Sequence, residues 1–511
     1  MLNKNRHINV IGFFSINILF ILACIMSFSV TSAFSAENNN KTLSITANDV
    51  EKIVLEQSFS VKQAHLKSQY AKQSILESKG TFDTNLNFNG YYNLDNSEKP
   101  SQIFGDRIDT ANVGLSASHK FQTGTETSIG FSTQRIQYYD PLAINNVPVF
   151  PPDAIYEPIL SFTISQPLLK NGGGYIDRRN VSVAEIGSLA TELQTSREIE
   201  NIVYGALSDY WTLVLNRRHI KAMEKSVNFA EEFLKTTVSE FKLGTAEETD
   251  LLAAKANVLA RKDQFLAAKE YERIWEESLR VRLGLEPAIK IANKENVPIF
   301  VKLEDSENTS IEQALEQRRD YLASKKELES RDVSLAIAKN TIWPSLDLYT
   351  SLELNDIDAS FTQATSSLNS PNLMVGLKFS VPIENRIARA NRNKAKIQKT
   401  SALVALKDIE NRIANSVVRS YQEIISRKTI VIQSQEALDL QVKKLQEEME
   451  KYKMGRSSSD LIVRYQDDAV NAERDNIEAW LSYEEAVLRF RLAKGNLLSK
   501  AYETSKNKEN E

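Results

Sequence analysis

Two proline-free stretches, Tyr175 to Glu286 and Ile383 to Glu511, carry apolar residues at steps of three and four. In the first, the stripe runs from Ile199 through Val203, Leu207, Tyr210 and Val214 to Met223, Ala230, Leu234 and Phe241. In the second, Leu406, Ile409, Ile413, Val417, Tyr421, Ile424, Val431, Leu438, Leu445, Met449 and Tyr452 repeat with coiled-coil spacing. Each stripe ends at a similar corner, "FKLGT" at Phe241 and "YKMGR" at Tyr452, and resumes as a second helical stretch. Each helix before its corner is predicted to run about 70 residues, or about 100 Å. A helix of that length needs partners along its side, and the return helices supply them. Gly244 and Gly455 then serve as left-handed turns at the ends of two antiparallel hairpins.

The corners belong to a wider duplication. An offset of 260 places Leu55 opposite Leu315, Thr81 opposite Thr341 and Leu86 opposite Leu346. An offset of 215 places Pro167 opposite Pro382, and an offset of 211 places Gly244 opposite Gly455 and Gly284 opposite Gly495. Both copies start with a capping pattern, Thr46 with Asp49 and Ser310 with Gln313. The predicted organisation is a signal peptide at 1–35, a first repeat at 36–297, a second at 298–500 and a polar tail at 501–511. The fall in offset gives the first repeat about 45 extra residues between its strands, with a further alternating pair around "FQTGTE". These either add a hairpin, for six strands per chain instead of four, or fold over a mouth; "VPVFPPDAIYEP" reads as a loop outside the sheet.

The strands alternate cleanly. Leu86, Phe88, Tyr92 and Leu94 oppose Asn85, Asn87, Asn89 and Asn93, and Leu346, Leu348, Leu352 and Leu354 oppose Asp347, Tyr349, Ser351 and Glu353. In a third strand, Leu373, Val375, Leu377, Phe379 and Val381 oppose Met374, Gly376, Lys378 and Ser380. A soluble sandwich explains alternation of this kind in many chains. Here the export signal, strands of about 9 to 11 residues and the lack of any downstream apolar run of about 18 residues favour a lipid-facing barrel. One chain supplies too few strands for a wide pore, so several chains must share it.

The export signal is read from Lys4 and Arg6, the apolar run Ile8 to Val30, and Ala33-Phe34-Ser35 as a cleavage site. An uncleaved anchor is the competing reading, which the polar "ENNNK" that follows disfavours. Cys24, the only cysteine, lies in that run; "ILAC" resembles a lipoprotein site, but "IMSFSV" continues the apolar segment. The 67 acidic and 63 basic residues form no basic block, so nucleic acid is not an expected partner. Four scattered histidines and no mature thiol leave no metal or cofactor site, and no nucleophile elbow or phosphate loop is present. The glycine-rich "KNGGGYIDRR" at Lys170 is read as a bend from strand to helix. The acidic pairs Glu231-Glu232 and Glu447-Glu448 are read as solvated surface, so no catalytic residue is assigned.

The order of "SQPLL", long helix, "FKLGT", return helix, "WPSLDL", "LKFSVPI", long helix, "YKMGR" and return helix resembles the TolC-like outer-membrane factor family over nearly the whole mature chain. The resemblance implies an α+β membrane protein: a homotrimeric β-barrel in outer-membrane lipid, continuous with a long periplasmic α-helical coiled-coil barrel. It further implies a passive, non-enzymatic exit duct for efflux or type I secretion, served by a periplasmic adaptor (membrane fusion) protein and an inner-membrane pump of RND, ABC or MFS type. By position, the adaptor-binding tips would be Lys242, Leu243, Gly244 and Thr245 with Lys453, Met454, Gly455 and Arg456. The aperture residues would be Thr249, Asp250 and Tyr452, which match the family pattern, with Ser457, Asp460 and Arg464, which depart from it. The family arginine falls on Ser457 and the acidic positions on Leu461 and Arg464, so either Asp460 or Arg464 lines the aperture. Arg464 there would make a positive constriction. The alternatives are a structural coiled-coil envelope protein or adhesin without a transport path and, last, an envelope hydrolase.

Overall fold

The computed structural model describes residues 42–144, 147–151, 153–295, 298–303 and 305–498. The predicted signal peptide with Cys24 and the tail at 501–511 lie outside the described residues. In chain order the elements are β1 (Thr42–Ile45), α1 (Ala47–Gln57), α2 (Phe59–Lys79), β2 (Asn85–Asp95), β3 (Arg107–Lys120), β4 (Glu126–Tyr139), β5 (Ala143–Ile144), β6 (Val147–Pro148), β7 (Ile155–Pro167), α3 (Tyr175–Lys242), α4 (Glu248–Leu283) and β8 (Lys290–Asn293). There follow α5 (Glu307–Gln317), α6 (Arg319–Asn340), β9 (Ser345–Asn355), α7 (Phe361–Ser366), β10 (Ser370–Ser380), α8 (Arg386–Lys453) and α9 (Ser459–Lys494). Both long helices, α3 and α8, have 68 residues, and both return helices, α4 and α9, have 36. The helical periodicity is therefore realised at the expected length. Among the described residues no helix is long and apolar enough to cross a membrane.

A 36-residue return helix covers only part of a 68-residue partner. The remainder of α3 is flanked by α2 and α6, and α6 also packs along α8. Where these segments meet the return helices, two cores form. Val50, Val54 and Val61 of α1 and α2 pack with Ile199, Val203, Leu207 and Tyr210 of α3 and Leu279 and Leu283 of α4. Ala314 of α5 packs with Ile413, Val417 and Ile424 of α8 and Tyr483, Val487 and Phe490 of α9. Each large side chain buried there contributes about 1.5–3 kcal/mol. The short strands β1 and β8 pair in parallel at this level, and the Tyr210 hydroxyl donates to Glu295 Oε2 at 2.8 Å.

The Thr46 and Asp49 capping box is present. The corresponding expectation at Ser310 and Gln313 is overturned: α5 starts one turn earlier, where the Ser306 hydroxyl accepts from Thr309 N, and Ser310 is buried inside the helix. Buried packing against α8 selects the register, and Ser306 is the residue left at the exposed start.

The strands form one six-stranded antiparallel sheet in the order β10-β9-β7-β4-β3-β2. The extra residues of the first half thus enter the sheet as β3 and β4, between β2 and β7. Of the segment read as an outside loop, Val147–Pro148 forms β6, paired with β5 away from the main sheet, while Ile155 to Pro158 belong to β7. Leu86, Phe88, Leu373, Val375 and Leu377 are all more than 60% exposed, so the apolar face of the sheet does not close onto a core among the described residues. That observation sets aside the soluble sandwich.

The passage at Lys170 bends the chain as expected. Asn171, Gly173 and Gly174 all adopt positive φ, and the Asn171 carbonyl oxygen of the side chain accepts from Ile176 N at 2.7 Å to start α3. A Cβ on Gly174 would lie 1.9 Å from the Gln122 carbonyl oxygen, whereas a Cβ on Gly244 would meet nothing within 4 Å. Gly244→Ala is expected to cost about 1–2 kcal/mol, the left-handed backbone penalty alone. Gly174→Ala adds a collision with backbone and costs more. Denaturant unfolding of both variants checks the order, and equal losses would contradict it.

Glu484 on α9 is buried beside the second core, and burial pushes its carboxyl from 4.5 up to about 7, against the pull of Arg491. A carboxyl that binds its proton more tightly folded than unfolded stabilises the fold in acid. Stability from this group is full below about 4.5 and falls as pH rises to about 7. Glu484→Gln should therefore flatten that slope and stabilise the protein at pH 8 by on the order of 1–3 kcal/mol. Thermal unfolding from pH 5 to pH 8 reads it; an unchanged slope would contradict the assignment.

Candidate functional site: the paired glycine corners

The two corners are built alike from local backbone chemistry. At the first, Gly244 has φ +77°, and Thr245 N donates to Glu240 O at 3.0 Å. At the second, Gly455 has φ +71°, and Arg456 N donates to Lys451 O at 2.9 Å. In each case the left-handed glycine closes the last carbonyls of the long helix. All eight residues named as tips, Lys242, Leu243, Gly244, Thr245, Lys453, Met454, Gly455 and Arg456, are exposed. Leu243 and Met454 present apolar side chains to solvent, 79% and 60% exposed, each beside a lysine.

The six residues named for the aperture divide into four groups. Thr249 and Asp250 turn to their own corner: Asp250 Oδ2 accepts from Glu247 N at 3.1 Å as part of a capping box, and the Thr249 hydroxyl donates to Glu247 Oε2 at 3.3 Å. Tyr452 is buried. Its hydroxyl lies 3.1 Å from that of Ser459 and 3.4 Å from that of Thr237, and its ring meets Phe233 edge-on at 5.2 Å. Burial pushes the phenol upward. Asp460 and Arg464 share one exposed face of α9, with Arg464 Nη2 donating to Asp460 Oδ2 at 3.1 Å. The charge of Arg464 is thus countered within its own helix.

Ser457 donates to Glu448 Oε1 at 2.7 Å, and Lys451 Nζ donates to Glu448 Oε2 at 3.0 Å. These bonds hold the Glu448 carboxyl below its ordinary value. The reading of Glu447-Glu448 as a solvated pair is corrected at this point. Glu447 is exposed, but Glu448 is buried because Ser457 folds back over it. Among the described residues, no group of three or more His, Cys, Asp or Glu could hold a metal ion.

Sequence reasoning missed a polar zip above the corners that joins the two hairpins. Asn257 Nδ2 of α4 donates to Gln466 Oε1 of α9 at 2.7 Å, and Gln466 Nε2 donates to Ser226 O of α3 at 2.8 Å. One turn on, Arg261 of α4, 2% exposed, pairs with Asp467 of α9. Higher still, Arg218 of α3 donates to Asn476 Oδ1, and Asn476 Nδ2 donates to Ser434 of α8. The available signal was positional: Asn257 and Arg261 stand four apart on the face that carries Ala254 and Val258. The buried Asn257–Gln466–Ser226 bonds fix one register between the hairpins, and losing one partner strands the other.

Below this zip, Phe233, Ala254, Met449, Tyr452 and Ile462 form a small core. Tyr452→Phe keeps its packing and removes the hydroxyl, and Thr237 retains its bond to Phe233 O. A loss of about 1 kcal/mol is expected. Limited proteolysis at the corners reads it, and cleavage as slow as in the wild type would contradict a structural role for the hydroxyl.

Comparison with known proteins places this geometry. Residues 310–495 match the family model described as outer membrane efflux protein. No curated protein matches the chain significantly. Among solved structures, the CmeC outer membrane channel of Campylobacter jejuni aligns with TM-score 0.69 at 16% identity, covering 92% of each chain. CusC, whose structures are described in terms of folding and transmembrane channel formation, aligns with TM-score 0.69 at 14% identity, over 89% of this chain and 93% of that one. The outer membrane protein VceC of Vibrio cholerae aligns with TM-score 0.66 at 12% identity, over 88% and 96%. At these identities the structural likeness establishes the fold. With the family match it bears out the resemblance to the TolC-like outer-membrane factors.

Proposed function

We propose that this chain, a TolC-like outer-membrane factor, forms a homotrimeric exit duct that carries substrates across the outer membrane without catalysis. The supporting observation is a sheet with one exposed apolar face joined directly to two helices of 68 residues, about 100 Å each. A face of that kind suits lipid, and helices of that length suit a passage through the periplasm. On this reading the chain consists of two structural repeats, 36–297 and 298–500, whose hairpins from three copies line one channel. An inner-membrane pump of RND, ABC or MFS type supplies energy and cargo, through a periplasmic adaptor, in a tripartite efflux or type I secretion pathway.

The exposed Leu243 and Met454, each beside a lysine, are the adaptor-facing tips. Thr249, Asp250, Tyr452, Ser457, Asp460 and Arg464 surround the periplasmic aperture. Their bonds are mostly local, so the closing force falls on the polar zip between hairpins. Opening swings one hairpin away from the other, which breaks Asn257–Gln466 and Arg261–Asp467 while leaving intact the belt made by the two large cores around α1 and α5.

Planar-bilayer recordings of the purified protein test this reading. Wild type should give a small conductance, and Asn257→Ala with Gln466→Ala should raise it several-fold. No conductance from either protein would overturn the duct. A conductance that ignores the double variant would move the gate elsewhere.

A further inference from the structure

The inserted hairpin β3–β4 continues the sheet in every respect that can be read from its register. Across all six strands, from β2 to β10, one row runs Leu86, Ala117, Ile129, Phe162, Leu352 and Leu373, and the next runs Phe88, Leu115, Phe131, Leu160, Leu354 and Pro371. The opposite face carries Asn87, Ser116, Gly130, Ser161, Glu353 and Asn372. A hairpin folded over a mouth would have no reason to keep an apolar face in line with its neighbours. One that forms wall between lipid and water must keep it, because a one-residue slip would turn every side chain to the wrong side.

The two ends of the sheet complement one another. β2 and β10 are each 11 residues long, and each has a sheet neighbour on one side only among the described residues. With six alternating strands they run in opposite directions. The β2 edge of one copy therefore meets the β10 edge of the next as an ordinary antiparallel pair. In hydrocarbon, the unpaired backbone groups of an open edge find no water to bond, so closure is required.

The width of the sheet also fits the helices beneath it. Six strands about 4.8 Å apart and tilted about 45° occupy roughly 41 Å of circumference. Four helices packed at about 8–10 Å occupy roughly 32–40 Å. Four strands would cover only about 27 Å by the same measure.

We infer that three copies close an eighteen-stranded barrel, with β2 of each copy paired to β10 of the next and the β3–β4 hairpin forming part of the wall. The three-copy ring rests on the duct reading above; the strand count per copy rests on the register. Such a barrel is roughly 40 Å across its backbone, about half as wide again as one of twelve strands.

Electron cryomicroscopy of the purified protein in lipid nanodiscs, with native mass measured on the same sample, tests the inference. The expected result is a three-copy particle with eighteen strands and β2 beside β10 at each junction. A three-copy particle with twelve strands, the hairpin lying outside the wall, would overturn this inference and leave the duct reading standing. A two-copy, twelve-stranded ring would overturn the closure proposed. Single copies without a ring would overturn the duct reading itself.

Discussion

A 68-residue helix in water is held by what lies along its side, and most of this architecture answers that need. The return helices α4 and α9 cover the corner halves of α3 and α8. The rest is left to α1–α2 and α5–α6, which run on toward the sheet. The belt cores form where those partners change over, and this is also where β1 pairs with β8. One requirement thus fixes the order of elements in both halves: a short pair of helices, strands, a long helix, a corner and a return.

The two ends of the molecule use opposite surface chemistry. At the sheet, Leu86, Phe88, Leu373 and Val375 are exposed together on one face, as a lipid-facing wall requires. At the corners, the exposed large apolar groups are Phe241, Leu243, Leu252 and Met454, set among charges. Between them the hairpins are tied by polar bonds such as Asn257 to Gln466, which specify a register, and by the small apolar core of Phe233, Ala254, Met449, Tyr452 and Ile462. On the reading proposed above, a duct that opens at one end and stays anchored at the other is served by that gradient.

Much of this was legible in the sequence where the signal was local or periodic. The three-four spacing gave the long helices, the left-handed glycines gave the corners, and strict alternation gave β2, β9 and β10. The Thr46 box was readable because both partners lie within one turn. What escaped depended on distant neighbours. Glu448 resembled a surface acid until Ser457 was seen to fold over it. Asn257 and Gln466 are 209 positions apart, and nothing in either stretch announces the other. Ser310 with Gln313 fits the capping-box pattern better than Ser306 with Thr309, yet the helix starts at Ser306 and buries Ser310. The destination of the inserted hairpin was likewise a question of register, which only pairing with β2 and β7 resolves.

The central claim is that the sheet stands between lipid and water, and strand β10 offers the most direct test. Single cysteines at Val375 and Leu377, and at Met374 and Lys378, can be placed in a Cys24→Ser background and labelled with a polarity-sensitive fluorophore. In bilayers, the account predicts that spin-labelled lipid quenches the probes at Val375 and Leu377, while aqueous iodide quenches those at Met374 and Lys378. Equal access of iodide to all four, or shielding of the first pair from lipid, would contradict it.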